Sequence, residues 1–311
     1  MIITVTLNPA LDKSLTIPDF RLDAVNRATS VRLDAGGKGI NVSKVLKAFG
    51  MDSLATGFLG GAAGRTIADA LGEMQIRGDF IQIDGETRTN LKVFDPENHT
   101  YTDLNEPGTV VSPDAMERLR NKLHAQAAPG DTVLFAGSLP RGVSGDAVAQ
   151  WAAKLSARGV HVAVDQDGDA LRKMLTVKPF FIKPNEHELR ELMALPDTEI
   201  VTLCGAAWSL VRLGIGHVVV SLGEKGALFA DADGILLGKG PRVEAISTVG
   251  AGDALTAAYL YALAFEKSRE DAARLAIAAA SAKVTCPGSS PPSRAAVEAC
   301  LSKIEIQAIN E

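Results

Sequence analysis

"TVLFAGSLPRGVSGDAVAQWAAKLSARGVHVAVD", Thr132 to Asp165, is the stretch that decides the fold. An apolar run, Thr132 to Gly137, leads into a loop carrying Ser138 and Pro140. Ser144 to Arg158 then read as a helix, and a second apolar run, Val160 to Asp165, closes the unit. Strands that are apolar almost throughout and are separated by helices belong to a parallel sheet covered on both faces. The rhythm recurs in "IITVTL" with a helix from about Ile40 to Phe49, in "PFFIKP" with "NEHELRELMAL", and in "HVVVSL", His217 to Leu222. The expected fold is therefore α/β, a mostly parallel sheet flanked by helices on both faces. From Ala251 through Lys283, and again from Ser293 to Ile304, the chain reads as mostly helical.

Two segments break the rhythm. Residues 11 to 35 and 87 to 105 look like strand pairs with turns, "DPEN" at Asp95 to Asn98 being one such turn. They are expected to form one small antiparallel β lid over the carboxyl edge of the main sheet, where open α/β sheets bind ligands. The whole of 1–311 is thus expected to be a single α/β domain with two lid insertions. A sheet of that size leaves one apolar face exposed, so a homodimer formed through the lid is expected.

Bulk composition narrows the function. At 311 residues and 46% hydrophobic content the chain can bury a large core. A net charge of −5, without a dense Lys/Arg run, speaks against nucleic-acid or anionic-membrane partners. Cys204, Cys286 and Cys300 are odd in number and widely spaced, which disfavours a disulfide framework and a zinc site. With no basic start and no long apolar run at "MIITVTLNPALDKS", the expected location is the cytoplasm. His99, His124, His161, His187 and His217 form no metal-ligand spacing.

Glycine-rich stretches carry the candidate chemistry. "STVGAGDAL", Ser247 to Leu255, sets two glycines and a carboxylate at the entrance to an apolar helix. Asp253 can simply offset the helix dipole. Alternatively, the Gly250, Ala251 and Gly252 amides hold a migrating anionic group while Asp253 accepts the nucleophile's proton. "DAGGKGINVSKVLKAFG" brings Gly37, Lys38 and Asn41 to another helix start, and fits neither the P-loop nor the dinucleotide fingerprint. In "KPNEHEL", Asn185 and Glu188 make a capping box in all but the usual Ser or Thr; the same pair can organise the hydrated Mg²⁺ that accompanies nucleotide phosphates. "VVSLGEKGAL" places Ser221 and Gly223 at a turn, and "GSLPRGV" places Ser138 and Arg141 in a loop after a strand. Asp12, Arg88 and Asn90 lie in or beside the lid.

In chain order, "TLNPALD", "GGKGIN", "TRTN", "GSLP", "IKPNEHE", "VVSLGEKGA" and "STVGAGDA" resemble the ribokinase-like carbohydrate kinases of the PfkB family, over essentially the whole chain. "TLNPALD", "GGKGINVSKVL" and "TDLNEPG" are most similar to its branch of 1-phosphofructokinases and tagatose-6-phosphate kinases. The resemblance implies an ATP- and Mg²⁺-dependent kinase, with K⁺ a further candidate ion. Asp253 would be the base and Gly250, Ala251 and Gly252 the anion hole. Asp12, Gly37, Lys38, Asn41, Arg88 and Asn90 would hold the sugar, with Ser138 nearby. Lys183, Asn185 and Glu188 would serve the Mg-nucleotide, Mg²⁺ being held only through water, and Ser221 and Gly223 the nucleotide loop.

A sugar phosphate brings about two negative charges that must meet fixed cations under a closed lid, and Lys38, Arg88 and Arg141 can supply them. Arg27, on the first lid segment, is placed to reach a neighbouring subunit's site if lids pair as in family dimers. The expected reaction converts fructose 1-phosphate to fructose 1,6-bisphosphate. Tagatose-6-phosphate or fructose-6-phosphate kinase activity is the near alternative, and a silent sugar-phosphate binding protein the distant one; a nucleotide-dependent dehydrogenase is the weakest. Two departures from relatives stand out: Gln166, Asp167 and Gly168 after "VAVD", and "CPGSSPPS", Cys286 to Ser293, where relatives form the adenine pocket.

Overall fold

The computed structural model describes residues 1–309. Ile2–Thr6 lies inside an eleven-stranded sheet, parallel to Ser53–Leu59 on one side and Thr132–Ala136 on the other. Beyond Thr132–Ala136 follow His161–Asp165, Phe181–Ile182 and His217–Ser221, all parallel. Three antiparallel strands finish that edge: Ala227–Asp231, Gly234–Lys239 and Glu305–Ile309. The last was not expected from the sequence, although "EIQAI" alternates with the two-residue period of a strand.

Successive strand residues point to opposite faces, so each apolar strand feeds two cores. Ile3, Val5, Val133, Phe135, Val162 and Val164 pack with Leu119, Trp151 and Leu210 of the helices on one side. Ile2, Leu134, Ala163, Phe181 and Val219 pack with Leu46, Tyr259 and Ala276 on the other. The parallel strands also run in register, Thr6 opposite Ala136 and Ala136 opposite Asp165. Their carboxyl ends, and the loops that follow, therefore open onto one edge.

The small sheet has the order Ser30–Gly36, Ala10–Thr16, Arg88–Asp95, Thr100–Leu104. Within each insertion the pairing is antiparallel, as expected; the joint between them, Ala10–Thr16 against Arg88–Asp95, is parallel. Cross-strand register puts Asp12, Asp34, Asn90 and Lys92 on one face, and Leu15, Val31, Leu33, Leu91 and Leu104 on the other. Tyr101 Oη donates to Ile246 O at 2.9 Å, and Arg32 Nη2 to Ser290 Oγ at 2.8 Å, so the polar face looks onto the main body. Val31, Leu33 and Leu104 are exposed, as are Leu22 and Val25 in the loop between the first two strands. Asp95 joins the insertions from beneath, accepting from the amides of Asp19, Phe20 and Glu97 and from Asn98 Nδ2. Cys204, Cys286 and Cys300 are free. Among the described residues no helix is long and apolar enough to cross a membrane.

Candidate active site

Asp253 stands in the first turn of Ala251–Ala264, a helix whose start is set by Gly250 at φ 77°. That left-handed backbone suits glycine and turns the chain abruptly into the helix. The first intrahelical bond is Ala254 N to Gly250 O, so the Gly252 and Asp253 amides precede the ladder, while Ala251 N reaches Thr248 O at a long 3.3 Å. The Asp253 side chain is buried, and Asn41 Nδ2 donates to its Oδ2 at 2.8 Å. Burial, followed by the nearby Asp165 charge, pushes its pKa up to about 6, because the Asn41 hydrogen bond and Lys38 and Lys183 offset only part of that cost.

Asp165 is the residue the sequence reading missed. It ends the strand His161–Asp165 with no exposed surface, and Lys38 Nζ donates to its Oδ1 at 2.9 Å. Its Oδ2 lies 3.4 Å from Lys183 Nζ and accepts from Thr256 Oγ1 at 3.1 Å. Burial alone would raise its pKa, but Lys183 and Lys38 outweigh burial and hold it below the ordinary carboxylate value. Lys38 is affected in return: burial opposes its charge, yet Asp165 raises its pKa above normal. A Cβ on Gly252 would sit 3.3 Å from Lys183 Nζ, which brings that ammonium to the helix start. An acid closing an apolar strand was visible in "VHVAVD"; its two lysines, far off in sequence, were not.

The lid contributes a second group. Asn90 Nδ2 donates to Asp12 Oδ1 at 3.0 Å, and Lys92 Nζ lies 3.9 Å from Asp12 Oδ2. Burial raises the Asp12 pKa, with Lys92 and Asn90 offsetting it only in part. Gly37, at φ 122°, caps Lys38–Ala48 and packs so that a Cβ would meet Thr6 Cγ2 at 2.7 Å. Arg88 is tied to backbone, donating to Asn8 O through Nε and Nη2 and to Glu106 O through Nη1. Asn8 in turn reaches Ser138 Oγ at 3.3 Å, and Arg141 Nε donates to Gly108 O. Arg27 stands apart, exposed in the lid loop between Thr16 and Ser30.

At the start of Glu186–Met193, Asn185 Oδ1 accepts from His187 N and Glu188 N, and Glu188 Oε2 accepts from Asn185 N at 2.8 Å. The capping box of Glu186–Met193 is complete. Asn185 bridges to Ser221, whose amide donates to Pro184 O at 3.1 Å, and Gly223 opens the turn beyond it. The described residues contain no group of three His, Cys, Asp or Glu fit to cage a metal. With the Asn185 acceptor already engaged, a Mg²⁺ held through water and nucleotide phosphates fits this donor set.

Lysines were also overlooked. Lys44 is buried, donating to Ala35 O and to Ser289 Oγ, and burial lowers its pKa to about 8 against the pull of Asp34 and Asp12. Lys283 is buried as well. Among the described residues, Asn41 Oδ1, Asn90 Oδ1 and Gln166 Oε1 are buried acceptors lacking a protein donor. Acceptors of that kind around a carboxylate and two ammoniums suit a polyhydroxylated, anionic ligand.

The model of the pfkB family carbohydrate kinases matches residues 6–296. The chain belongs to that family. It is 35% identical over 307 residues to the 1-phosphofructokinase of Escherichia coli K12, covering 99% of this chain and 98% of that one. Phosphofructokinase-2 from Escherichia coli, solved in complex with substrates and products, superposes with a TM-score of 0.93 at 29% identity, covering 97% and 98%. That enzyme was also solved with fructose-6-phosphate, with potassium, and as a tetrameric inhibited form. Arabidopsis thaliana ribokinase, complexed with ribose and ATP, superposes with a TM-score of 0.77 at 25% identity, covering 96% and 98%. The ribokinase-like fold and the ATP-dependent sugar kinase activity expected from the motifs are those of this family.

Proposed function

We propose that this kinase transfers the γ-phosphoryl group of ATP to the free primary hydroxyl of fructose 1-phosphate, giving fructose 1,6-bisphosphate. The observation that carries the reading is the buried Asp253, oriented by Asn41 and set at an amide-bearing helix start beside Lys38 and Lys183. Asp253 takes the hydroxyl proton as the oxygen forms its bond to the γ-phosphorus. The bond from that phosphorus to the bridging oxygen breaks, and ADP leaves with its electrons. The Gly250 to Gly252 amides and Lys183 offset charge on the migrating group. When bound, the Mg²⁺ that travels with ATP would supply further neutralisation, and Asn185 and Glu188 would orient its water. Asp12 and Asn90 hold sugar hydroxyls from above, Gly37, Lys38, Asn41 and Ser138 from below, and Arg88 and Arg141 the existing phosphate; Ser221 and Gly223 shape the nucleotide loop.

The reading includes one α/β domain with two lid insertions, a cytoplasmic enzyme, and a homodimer joined through the exposed Val31, Leu33 and Leu104 face, with Arg27 reaching the other subunit's site. K⁺ remains a candidate ion in the same reading. The near alternative, phosphorylation of tagatose 6-phosphate or fructose 6-phosphate, is favoured by the overlay on a phosphofructokinase-2 solved with fructose-6-phosphate. ADP release with each of the three sugars, in K⁺ and in Na⁺, tests the choice. A kcat/KM at least about tenfold higher for fructose 1-phosphate, about 1.4 kcal/mol of discrimination, is expected. The same margin for a 6-phosphate transfers the function to the alternative.

A further inference from the structure

Lys283 ends the helix Arg269–Lys283 with 2% of its surface exposed, and its Nζ donates to Gly288 O at 2.8 Å. It forms no ion pair among the described residues. A buried ammonium without a carboxylate partner is costly, so its position needs a reason. The surroundings supply one. A Cβ on Gly250 would lie 3.4 Å from Lys283 Cε, 3.7 Å from Asp253 Oδ2 and 3.9 Å from Asn41 Nδ2. The lysine stem, the base and the amide that orients it thus meet around one glycine turn. The carbonyl that holds Lys283 belongs to a loop gripped by two other cations: Lys44 bonds Ser289 Oγ, and Arg32 bonds Pro287 O and Ser290 Oγ.

We propose that Lys283 is a positioning residue for phosphoryl transfer, whose fixed positive charge, held behind Gly250 by the Gly288 carbonyl, favours negative charge at the helix start. The inference rests on the assignment of Gly250 to Gly252 as the anion hole. Its charge is one that the migrating phosphoryl group meets more strongly in the transition state than in the bound substrates, so its removal acts on kcat more than on KM. Burial lowers the Lys283 pKa, with Asp253 and Asp34 among the groups that support its charge.

Replacing the ammonium by an isostere of similar shape tests this directly. Lys283→Met is expected to lose about 10- to 100-fold in kcat, with KM for ATP and sugar phosphate changed less than about threefold, an effect below the 10²–10³ of a lost direct donor. In Lys283→Ala, added methylammonium is expected to restore activity saturably, about fivefold or more, without affecting the parent enzyme. A folded Lys283→Met with unchanged kcat overturns the inference, as does a loss in Lys283→Ala that follows its thermal unfolding and ignores the amine. Asp253→Asn separates the two levels of argument. Full parental turnover in that variant removes the Asp253 mechanism, on which the anion-hole assignment depends, and this inference with it, whereas a silent Lys283 change removes the inference alone.

Discussion

Two buried carboxylates lie in each other's field, and their surroundings push them in opposite directions. Asp165 sits at a strand end between Lys38 and Lys183 with a hydroxyl from Thr256, and stays ionised. Asp253 sits at a helix start with one amide donor, in the field of Asp165, and holds a proton to about pH 6. Equal burial therefore does not give equal chemistry; the number and charge of the donors decide. A carboxylate with both oxygens met by ammonium groups is a fixed counter-ion that holds two lysines in place, while one poised near neutrality can take and return a proton.

The sharpest way to break this contrast is Asp253→Asn. It removes the proposed base while keeping the shape, and kcat is expected to fall by about 10² to 10⁴ in steady-state assays. In the parent enzyme, kcat/KM should rise with pH through about 6 and level off. Stability carries the matching sign. The folded pKa of Asp253 is raised, so its contribution is fully present below the unfolded value of 3.8 and is lost as pH rises through about 6. Denaturant titrations of Asp253→Asn should lack that decline. Asp165, with a lowered pKa, contributes in the opposite sense: its share is present above 3.8 and is lost only as pH falls further.

Asp165→Asn attacks the other half. It leaves the buried Lys183 without its counter-ion and should cost about 3 to 5 kcal/mol, read from urea midpoints, together with activity. An unchanged midpoint would show that Asp165 does not hold the lysines. The smallest effect is expected at Asn185. Asn185→Ala removes the helix cap at a cost of about 1 kcal/mol, whereas Asn185→Ser keeps a capping oxygen. A raised KM for ATP in both variants would assign the amide to the nucleotide; one confined to Asn185→Ala would assign it to the helix.

The contrast also marks what the sequence could reveal. Asp253 was legible because its context is local: two glycines, a carboxylate and an apolar helix within nine residues. The alternating strands and helices were legible for the same reason. Asp165 was not, because its meaning depends on Lys38, 127 residues away, and on a sheet register that no local pattern prints. Lys44 and Lys283 look like solvated helix residues until the loop at Pro287 to Ser290 closes over them. The parallel joint in the lid was hidden too, since each insertion alone shows only a hairpin.

That joint bears on the order in which the molecule assembles. Asp12 and Asn90 meet across 78 residues, with Lys38–Ala48, Ser53–Leu59 and Gly61–Glu73 lying between them in the chain. Closing so long a loop is costly until the intervening units have packed, so the two hairpins have nothing to align them before the main sheet exists. The lid is then a late folder, and its amides at Leu11 to Leu15 should gain protection last in pulsed hydrogen exchange during refolding. A newly made chain accordingly completes the large sheet before the small sheet that stands over its carboxyl edge.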